Sequence, residues 1–348
     1  MPSTAIDTFF ACTIIVAAAL ISTAFLCSTL QTSINGTQNI NKDSYLQAIA
    51  NGIIANPGAP IDWGSNKGVP VDFGLATNSS ILPYELDIDK ITRLNNLNNY
   101  SLSYPNMAIA AKLNNIALGI TVSQVMTIDI EKSSTTTVGN NESFAFTILT
   151  SIDSEPISAS INCYVVANNY LSNITSNTSD VGVGQVTIQI PTTGTSNAML
   201  VVFARANFDG RITSYAVYNF FDSNQESAPS DNILTLTPLN YTLSYLTNST
   251  DLTLQHGYVF TYTHQDNLAS VQGTTQYQIP IQIDKSPFVL VLCGFNNDTY
   301  FQEWTSYPQI PLKAGSNFED SEQNVFSYIV TINNVLYKVN ISFGDVVS

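Results

Sequence analysis

The side chains that most often carry out acid–base or metal chemistry are scarce in this sequence of 348 residues. It contains two histidines, His256 and His264, whose even spacing could place both on one face of a long strand. Asp266 is the one carboxylate nearby, and a zinc site needs three or four ligands. We therefore expect both histidines to be ordinary surface residues.

Two groups of carboxylates are further candidates for cation binding or catalysis. Glu319, Asp320 and Glu322 lack the loop spacing of a known calcium motif, so we expect a solvated loop there. Asp87 and Asp89 stand where a helix begins, and helix capping explains them. The sequence contains no His-Glu-x-x-His motif, no phosphate-binding loop and no Gly-x-Ser-x-Gly. We predict no catalytic residue, no metal site and no cofactor, and hence a protein that is not an enzyme.

The composition argues against a nucleic-acid partner. The chain has 11 Lys and Arg against 26 Asp and Glu, a formal net charge of −15, so it offers little positive charge to neutralise phosphates. Neutral polar residues replace the missing charge, with 36 each of Asn, Ser and Thr. Hydrophobic residues make up 44% of the chain, enough to bury a sizeable core.

An apolar segment without charge lies near the start of the sequence, from Phe9 to Leu30. As a helix rising about 1.5 Å per residue it would reach roughly 33 Å, enough to cross the hydrocarbon core of a membrane. A cleaved signal peptide would need a basic start and a shorter apolar core, so we expect a retained helix within residues 1–33. This helix would anchor in membrane lipid or pack against identical subunits.

Packing between such helices would use a carboxylate at the helix start and small residues at four-residue spacing. The carboxylate could pair with a neighbouring subunit, or lie among lipid headgroups and favour the helix dipole. The residues concerned are Asp7, Ala18, Ser22, Ala24 and Ser28.

Residues 34–118 are predicted to form a collar of helices and loops. The apolar positions of Tyr45–Ile54 fall on one helical stripe, which ends at Asn56-Pro57-Gly58. Two shorter helices are predicted over Asp87–Asn95 and Met107–Asn114.

Several strings in the first 220 residues resemble those of archaeal membrane-anchored, type IV pilin-like surface proteins. They are Asn56-Pro57-Gly58-Ala59-Pro60-Ile61-Asp62-Trp63-Gly64, Phe73-Gly74-Leu75-Ala76, Leu86-Asp87-Ile88-Asp89-Lys90-Ile91-Thr92-Arg93-Leu94-Asn95, Val202-Phe203-Ala204-Arg205-Ala206 and Thr213-Ser214-Tyr215-Ala216-Val217-Tyr218. The resemblance implies a hydrophobic helix that anchors in the membrane or forms a filament core, with β-rich domains outside the cell.

From about Gly119 the apolar residues alternate, as in Val186, Ile188 and Ile190, which is typical of half-buried strands. Many short strands with turn signals between them predict two tandem immunoglobulin-like antiparallel β-sandwiches, over residues 119–222 and 232–348. The polar stretch Asp222–Asp231 is the predicted linker. The last two strands are predicted as a hairpin joined at Asn333-Asn334.

The four cysteines and ten Asn-x-Ser/Thr sequons are candidate modification sites. We expect Cys163 and Cys293 to be buried thiols, with a disulfide between them as the alternative, and Cys12 and Cys27 to lie in the apolar helix. Some sequons should carry glycans if the β domains are extracellular. The sequons begin at Asn35, Asn78, Asn99, Asn141, Asn173, Asn177, Asn240, Asn248, Asn297 and Asn340.

These observations favour a non-enzymatic cell-surface structural protein, a pilin-like subunit that forms a homo-oligomer. Its helix would lie in the cell membrane or in the core of an extracellular filament, and its β domains would form the outer layer. The alternative is a membrane-anchored adhesin or surface-layer-associated stalk that does not polymerise. An anchored extracellular hydrolase is a third, less favoured hypothesis, because no nucleophile–base pair can be identified.

Overall fold

A computed structural model describes Thr23 and residues 42–78, 84–113, 116–191, 197–220, 225–226, 233–281, 284–318 and 323–345. The chain divides into two compact units, Met1–Asn51 and Gly52–Ser348. In the first unit, the description covers Thr23 and the first residues of a helix, α1, that spans residues 42–55. The predicted assembly residues Asp7, Ala18, Ser22, Ala24 and Ser28 lie outside the described residues.

Within these ranges the chain forms three helices and 22 strands. The other helices are α2 (Ile88–Thr92) and α3 (Tyr104–Ala110). The strands are β1 (Glu85–Leu86), β2 (Ile116–Gln124), β3 (Thr127–Val138), β4 (Asn141–Ile152), β5 (Glu155–Pro156), β6 (Ala159–Ala167), β7 (Tyr170–Asn177), β8 (Val183–Pro191), β9 (Ala198–Ala206), β10 (Thr213–Phe220), β11 (Gln225–Glu226), β12 (Leu234–Leu239), β13 (Thr242–Thr247), β14 (Leu252–Phe260), β15 (Gln265–Asn267), β16 (Ala269–Ser270), β17 (Gln276–Gln278), β18 (Phe288–Asn296), β19 (Thr299–Tyr307), β20 (Leu312–Gly315), β21 (Gln323–Ile332) and β22 (Val335–Asp345). The prediction of a mainly-β chain with antiparallel sheets is confirmed.

The three predicted collar helices are present, although the two short ones have shifted bounds. Asp87 caps α2, because its carboxylate accepts hydrogen bonds from the backbone N–H groups of Asp89 and Lys90. The capping role predicted for Asp87 is therefore confirmed. None of the helices in the described part of the chain combines the length and apolar character that crossing a membrane requires.

The first β-sandwich is built from strands β3 to β11. One sheet has the order β3-β4-β8, with the short β5 also on β4, and the other has the order β7-β6-β9-β10-β11. Their facing side chains form a core that includes Phe144, Phe146, Ile188 and Phe220, all at most 2% exposed. Along β8 burial alternates residue by residue, as the sequence pattern predicts.

The second β-sandwich is built from strands β12 to β19 in the same arrangement. One sheet has the order β12-β13-β17-β16 and the other β15-β14-β18-β19. Its core includes Leu236, Leu243, Val259, Leu290 and Tyr307. When the short strands β5, β11 and β16 are left aside, the first two strands of each sandwich share a sheet with the fifth, and the third strand pairs with the fourth and with the sixth.

The two sandwiches pack against each other through one sheet of each. Tyr164, Val201 and Phe203 of the first sandwich contact a cluster that contains Phe260 and Trp304 of the second. The middle two sheets are therefore covered on both faces, which explains why β9 and β18 are apolar at nearly every position.

Two buried amides connect these middle sheets across their shared cluster. The Nδ2 of Asn162 donates to the carbonyl of Tyr262 at 2.8 Å, and the Nε2 of Gln302 donates to the carbonyl of Val166 at 3.0 Å. Because each amide comes from one sandwich and each carbonyl from the other, these hydrogen bonds fix the register between the sandwiches.

A fifth sheet, of order β1-β21-β22-β2-β20, joins the collar to the end of the chain. The predicted hairpin is confirmed: β21 and β22 are joined at Asn333 and Asn334, which adopt φ values of 49° and 69°. The predicted boundary between residues 118 and 119, however, falls inside β2. Since β2 pairs with β22 over nine residue pairs, the ranges 119–222 and 232–348 share a sheet and do not separate into independent sandwiches. Most of the predicted linker, Asp222–Asp231, lies outside the described residues.

Both described cysteines are free and buried, which confirms the expectation of two thiols. Burial raises the pKa of Cys293 to about 11 and raises the pKa of Cys163 well above its usual range. We predict that iodoacetamide at pH 8 alkylates neither residue in the folded protein and alkylates both in guanidinium chloride. Peptide mass mapping separates these sites from Cys12 and Cys27, and rapid labelling of native Cys163 would contradict the described packing.

Candidate functional site

Among the described residues, those that the sequence singled out for chemistry do not come together into a site. His256 is exposed on β14, but this strand ends at Phe260, and the turn Thr261–His264 follows, so the two histidines do not share a strand face. Both are exposed, as expected for surface histidines. Glu319, Asp320 and Glu322 lie outside the described residues. In the described ranges no group of three His, Cys, Asp or Glu residues could hold a metal ion.

The sequons are spread over the surface of the β sheets and the collar. Seven of the asparagines are exposed and two are half-buried, while Asn35 lies outside the described residues. Glycosylation of these positions stays a prediction. The exposed ones are Asn78, Asn99, Asn173, Asn177, Asn240, Asn248 and Asn297, and the half-buried ones are Asn141 and Asn340.

What the sequence did not reveal is a buried group of charges in and after α2, the collar cluster, formed by Asp89, Lys90 and Arg93. Lys90 is fully buried, and its Nζ donates to the carbonyls of Pro57 and Ala76, both at 2.8 Å. Burial lowers the pKa of Lys90, while Asp87 and Asp62 oppose this shift. The ammonium thus ties two collar loops to the helix.

Arg93 likewise binds the backbone carbonyls of a longer collar loop. Its guanidinium donates from Nε to the carbonyl of Tyr100 and from Nη1 to the carbonyl of Gly68, each at 2.8 Å, and also to the carbonyl of Trp63. The guanidinium carbon lies 5.5 Å from the centre of the Trp63 ring. One side chain that is 3% exposed therefore holds the loop from Trp63 to Gly68 in place.

Asp89 links the collar to the second sandwich. Its Oδ1 accepts hydrogen bonds from the Tyr307 hydroxyl at 2.7 Å and from the Asn240 backbone N–H at 2.8 Å. Burial raises the pKa of Asp89 above its usual value, although these two hydrogen bonds oppose the shift. Helix capping was predicted for Asp89 as well, and this is wrong: Asp89 lies in the first turn of α2, and its carboxylate contacts the second sandwich.

Amide side chains continue this contact. Asn95 donates to the Gln309 carbonyl at 3.0 Å, and Asn98 donates to the Gln309 Oε1 at 2.9 Å and to the Pro238 carbonyl at 3.2 Å. The segment Leu86–Asn95 therefore attaches the collar to the second sandwich. In the sequence, the collar cluster is visible only as several charged and amide residues in and after a very short helix. This composition does not show whether the charges are buried or lie in solvent.

A second feature is an open cleft of about 360 Å³ at the edge between the sandwiches, the polar cleft. Strands β6 and β7 form its floor and the residues after β14 form its wall. Asn162 is 9% exposed, and its Oδ1 is buried without a hydrogen-bond partner in the part of the chain that is described. The lining residues are Ser160, Ile161, Asn162, Thr175, Ser176, Asn177, Tyr262 and Thr263.

Contacts with Arg205 and Asp284 hold the wall of the polar cleft in place. The Arg205 guanidinium lies 3.8 Å from the centre of the Tyr262 ring. The backbone N–H of Thr263 donates to Asp284 at 2.9 Å, and its hydroxyl donates to the same carboxylate at 2.5 Å. Burial raises the pKa of Asp284, but the hydrogen bonds from Ser286 and Thr263 outweigh it and give a net lowering.

Comparisons with known proteins do not identify a family. No family model matches the chain, and no curated protein matches it. Among solved structures, the chain is similar to HBP35 of Porphyromonas gingivalis, with 12% identity over 57% of this chain and 68% of that chain, at a TM-score of 0.20. A TM-score this low does not establish a shared fold.

Proposed function

We propose that the protein is a non-enzymatic structural protein of the cell surface, a pilin-like subunit. The observation that carries this proposal is the uncharged apolar segment Phe9–Leu30 ahead of a large β-sheet body. Exposing such a segment to water is unfavourable, so it must be surrounded by lipid or by identical segments. The β body would form the outer layer of a filament or the extracellular part of an anchored protein.

Both sandwiches are proposed to be immunoglobulin-like. When the two-residue strands β5, β11 and β16 are left aside, each sandwich has seven strands: the first, second and fifth form one sheet, and the third, fourth, sixth and seventh form the other. This division of seven strands between two antiparallel sheets is the one found in sandwiches related to immunoglobulin domains. The repeated strand order supports two copies of one domain, packed face to face.

The organisation of the β body supports a mechanical rather than a chemical role. The middle sheets are buried on both faces, and the collar cluster holds the collar loops by side-chain bonds to backbone carbonyls. These contacts stiffen the body. Identical subunits and membrane lipid are the proposed partners of the apolar segment, and glycans are proposed on the exposed sequons.

Sedimentation of the native protein tests this proposal. We expect the full chain to sediment with filaments or membranes, and a variant that begins at residue 42 to stay in the supernatant as a folded single chain. Negative-stain electron microscopy then separates the pilin-like subunit, which forms regular filaments, from the adhesin or stalk, which gives dispersed membrane-bound particles. A full chain that remains soluble and monomeric without detergent would refute both forms of the proposal.

A further inference from the structure

We propose that two copies of this chain pair through β21, which lies antiparallel to β21 of the second copy across a two-fold axis at Ser327. This contact does not involve the apolar segment Phe9–Leu30. It starts from an open sheet edge, because β1 pairs with β21 only at Thr331 and Ile332. In the described structure, residues 323–330 therefore have a neighbouring strand, β22, on one side alone.

The backbone of β21 offers three residues to a further strand. The N–H of Thr331 donates to the carbonyl of Tyr84 at 3.0 Å, on the side away from β22. Because alternate residues of a strand point their N–H and C=O groups to the same side, those of Val325, Ser327 and Ile329 also point to the open side. Among the described residues they have no backbone partner there. Such unpaired groups are a template for another strand.

The side chains of this edge are apolar and uncharged. Val325 is 48% exposed and Ile329 is 54% exposed on one face of the sheet, while Phe326 and Tyr328 are half-buried on the other. The sequence of β21 contains no charged residue and no proline. Since charges, prolines and bulges are the usual features that keep an edge strand from pairing, β21 is open to the addition of a strand.

Three other edge strands differ from β21 in these features. Strand β3 has a bulge after Lys132, and β12 contains Pro238. Strand β7 is uncharged, but its exposed side chains are polar. They are Asn173, Thr175 and Asn177. The open edge of β21 is thus distinguished from these three by its apolar side chains.

A second copy of the same edge matches these side chains. With the two-fold axis at Ser327, Val325 of each copy lies opposite Ile329 of the other. Phe326 lies opposite Tyr328 in the same way. Apolar side chains then meet on both faces of the joined sheets, and such cross-strand pairs stabilise antiparallel strands. An axis one residue earlier would instead place Val325 opposite Ser327.

The start of β1 sets the length of the contact. Tyr84 adopts a φ of 61°, so the extended backbone that pairs with β21 begins at Glu85. The carbonyl of Tyr84 occupies the N–H of Thr331, so a second copy cannot pair beyond this residue. With the axis at Ser327, the pairing runs over residues 324–330 in each copy and ends before this point.

The contact should be weak in solution. Seven residues in each copy are fewer than the about 20–30 residues a side of a standard interface, so we expect single chains at micromolar concentration. Copies held side by side in a membrane or filament would pair more often, because their effective concentration is higher. Disulfide trapping detects a short-lived pair, since the bond holds it once it has formed.

The test traps the pairing in its predicted register. The full chain, in detergent, carries Cys12→Ser and Cys27→Ser and is produced in a host without N-glycosylation. One preparation has Val325→Cys and another has Ile329→Cys. Oxidised together, they should form cross-linked dimers at least tenfold faster than either does alone. The pairing places these two positions of different copies about 5.5 Å apart between Cα atoms, and two copies of one position more than about 13 Å apart.

Strand β7 supplies the matched control. Asn173→Cys and Asn177→Cys have the same spacing on an edge strand with polar side chains, and their mixture should cross-link no faster than either preparation alone. Adding Ser327→Lys to both β21 preparations should slow their cross-linking at least tenfold, because two like charges would meet at the axis. Ser327 is exposed, so the melting temperature should stay the same.

Two results would overturn the proposal: a β21 mixture that cross-links no faster than its components or the β7 mixture, and a rate that Ser327→Lys leaves unchanged. Sedimentation of the natural chain is measured separately. A chain that assembles without this cross-link contradicts the β21 contact alone, and a soluble chain that still forms it contradicts the proposed function alone.

Discussion

Replacing Arg93 with lysine is expected to lower the free energy of unfolding by about 3 kcal/mol. The guanidinium donates to the carbonyls of Trp63, Gly68 and Tyr100, and a lysine ammonium cannot reproduce this planar fork. Carbonyls left buried without donors cost about 1–3 kcal/mol each, and partial rearrangement recovers some of this. Urea denaturation followed by tryptophan fluorescence measures the change.

The control for Arg93→Lys is a cation on the surface of the same collar. Lys112 forms an ion pair with Asp72 at 3.1 Å, but its side chain is 75% exposed. Lys112→Ala should therefore change the free energy of unfolding by less than about 0.5 kcal/mol. Equal effects of the two substitutions would mean that the collar cluster contributes no more than an ordinary surface charge.

Two substitutions of Asp89 are expected to differ in their effect on the free energy of unfolding. Asp89→Leu removes the acceptor of the buried Tyr307 hydroxyl and of the Asn240 N–H, and should destabilise the protein by about 2–3 kcal/mol. Asp89→Asn keeps an oxygen for both donors and removes a desolvated charge, so it should be neutral or stabilising by about 1 kcal/mol at pH 7. Thermal and urea denaturation of the full chain compare them.

The pH dependence of these variants provides a separate check. Burial raises the pKa of Asp89 above 3.8 in the folded chain, so between pH 3.8 and the raised pKa the native state holds a proton that the unfolded state has lost. The free energy of unfolding therefore falls as pH rises through this window, and the loss is complete above the raised pKa. The advantage of Asp89→Asn over the natural residue should grow from pH 3.8 upward. An advantage that shrinks instead would show that the pKa of Asp89 is lowered.

Local sequence patterns predicted where the strands and turns of this protein lie better than they predicted which strands pair with each other. The alternation at Val186–Ile190 and the Asn333-Asn334 turn depend on neighbouring residues, so the sequence carries them directly. The pairing of β2 with β22 joins residues far apart in the chain, and no local pattern specifies it. For the same reason the boundary predicted at residue 118 falls inside a strand.

The collar cluster and the polar cleft could not be predicted from the sequence for a related reason. Lys90 and Arg93 read as surface charges in a sequence, because their burial depends on loops that fold over them from residues 57–76. Asn162 looks like any of the 36 asparagines until the second sandwich covers it. Even spacing does not place His256 and His264 on one strand face, because β14 ends at Phe260, between the two positions.

The pairing of β2 with β22 also dictates the order in which the chain can fold during synthesis. Each sandwich consists of strands that are contiguous in sequence, so each can form as soon as it leaves the ribosome. The five-stranded sheet must wait, because Ile116 pairs with Asp345, a residue that follows both sandwiches in the chain. A chain truncated before Gln323 would leave β2 without its main neighbour, and this open edge would make it prone to aggregation.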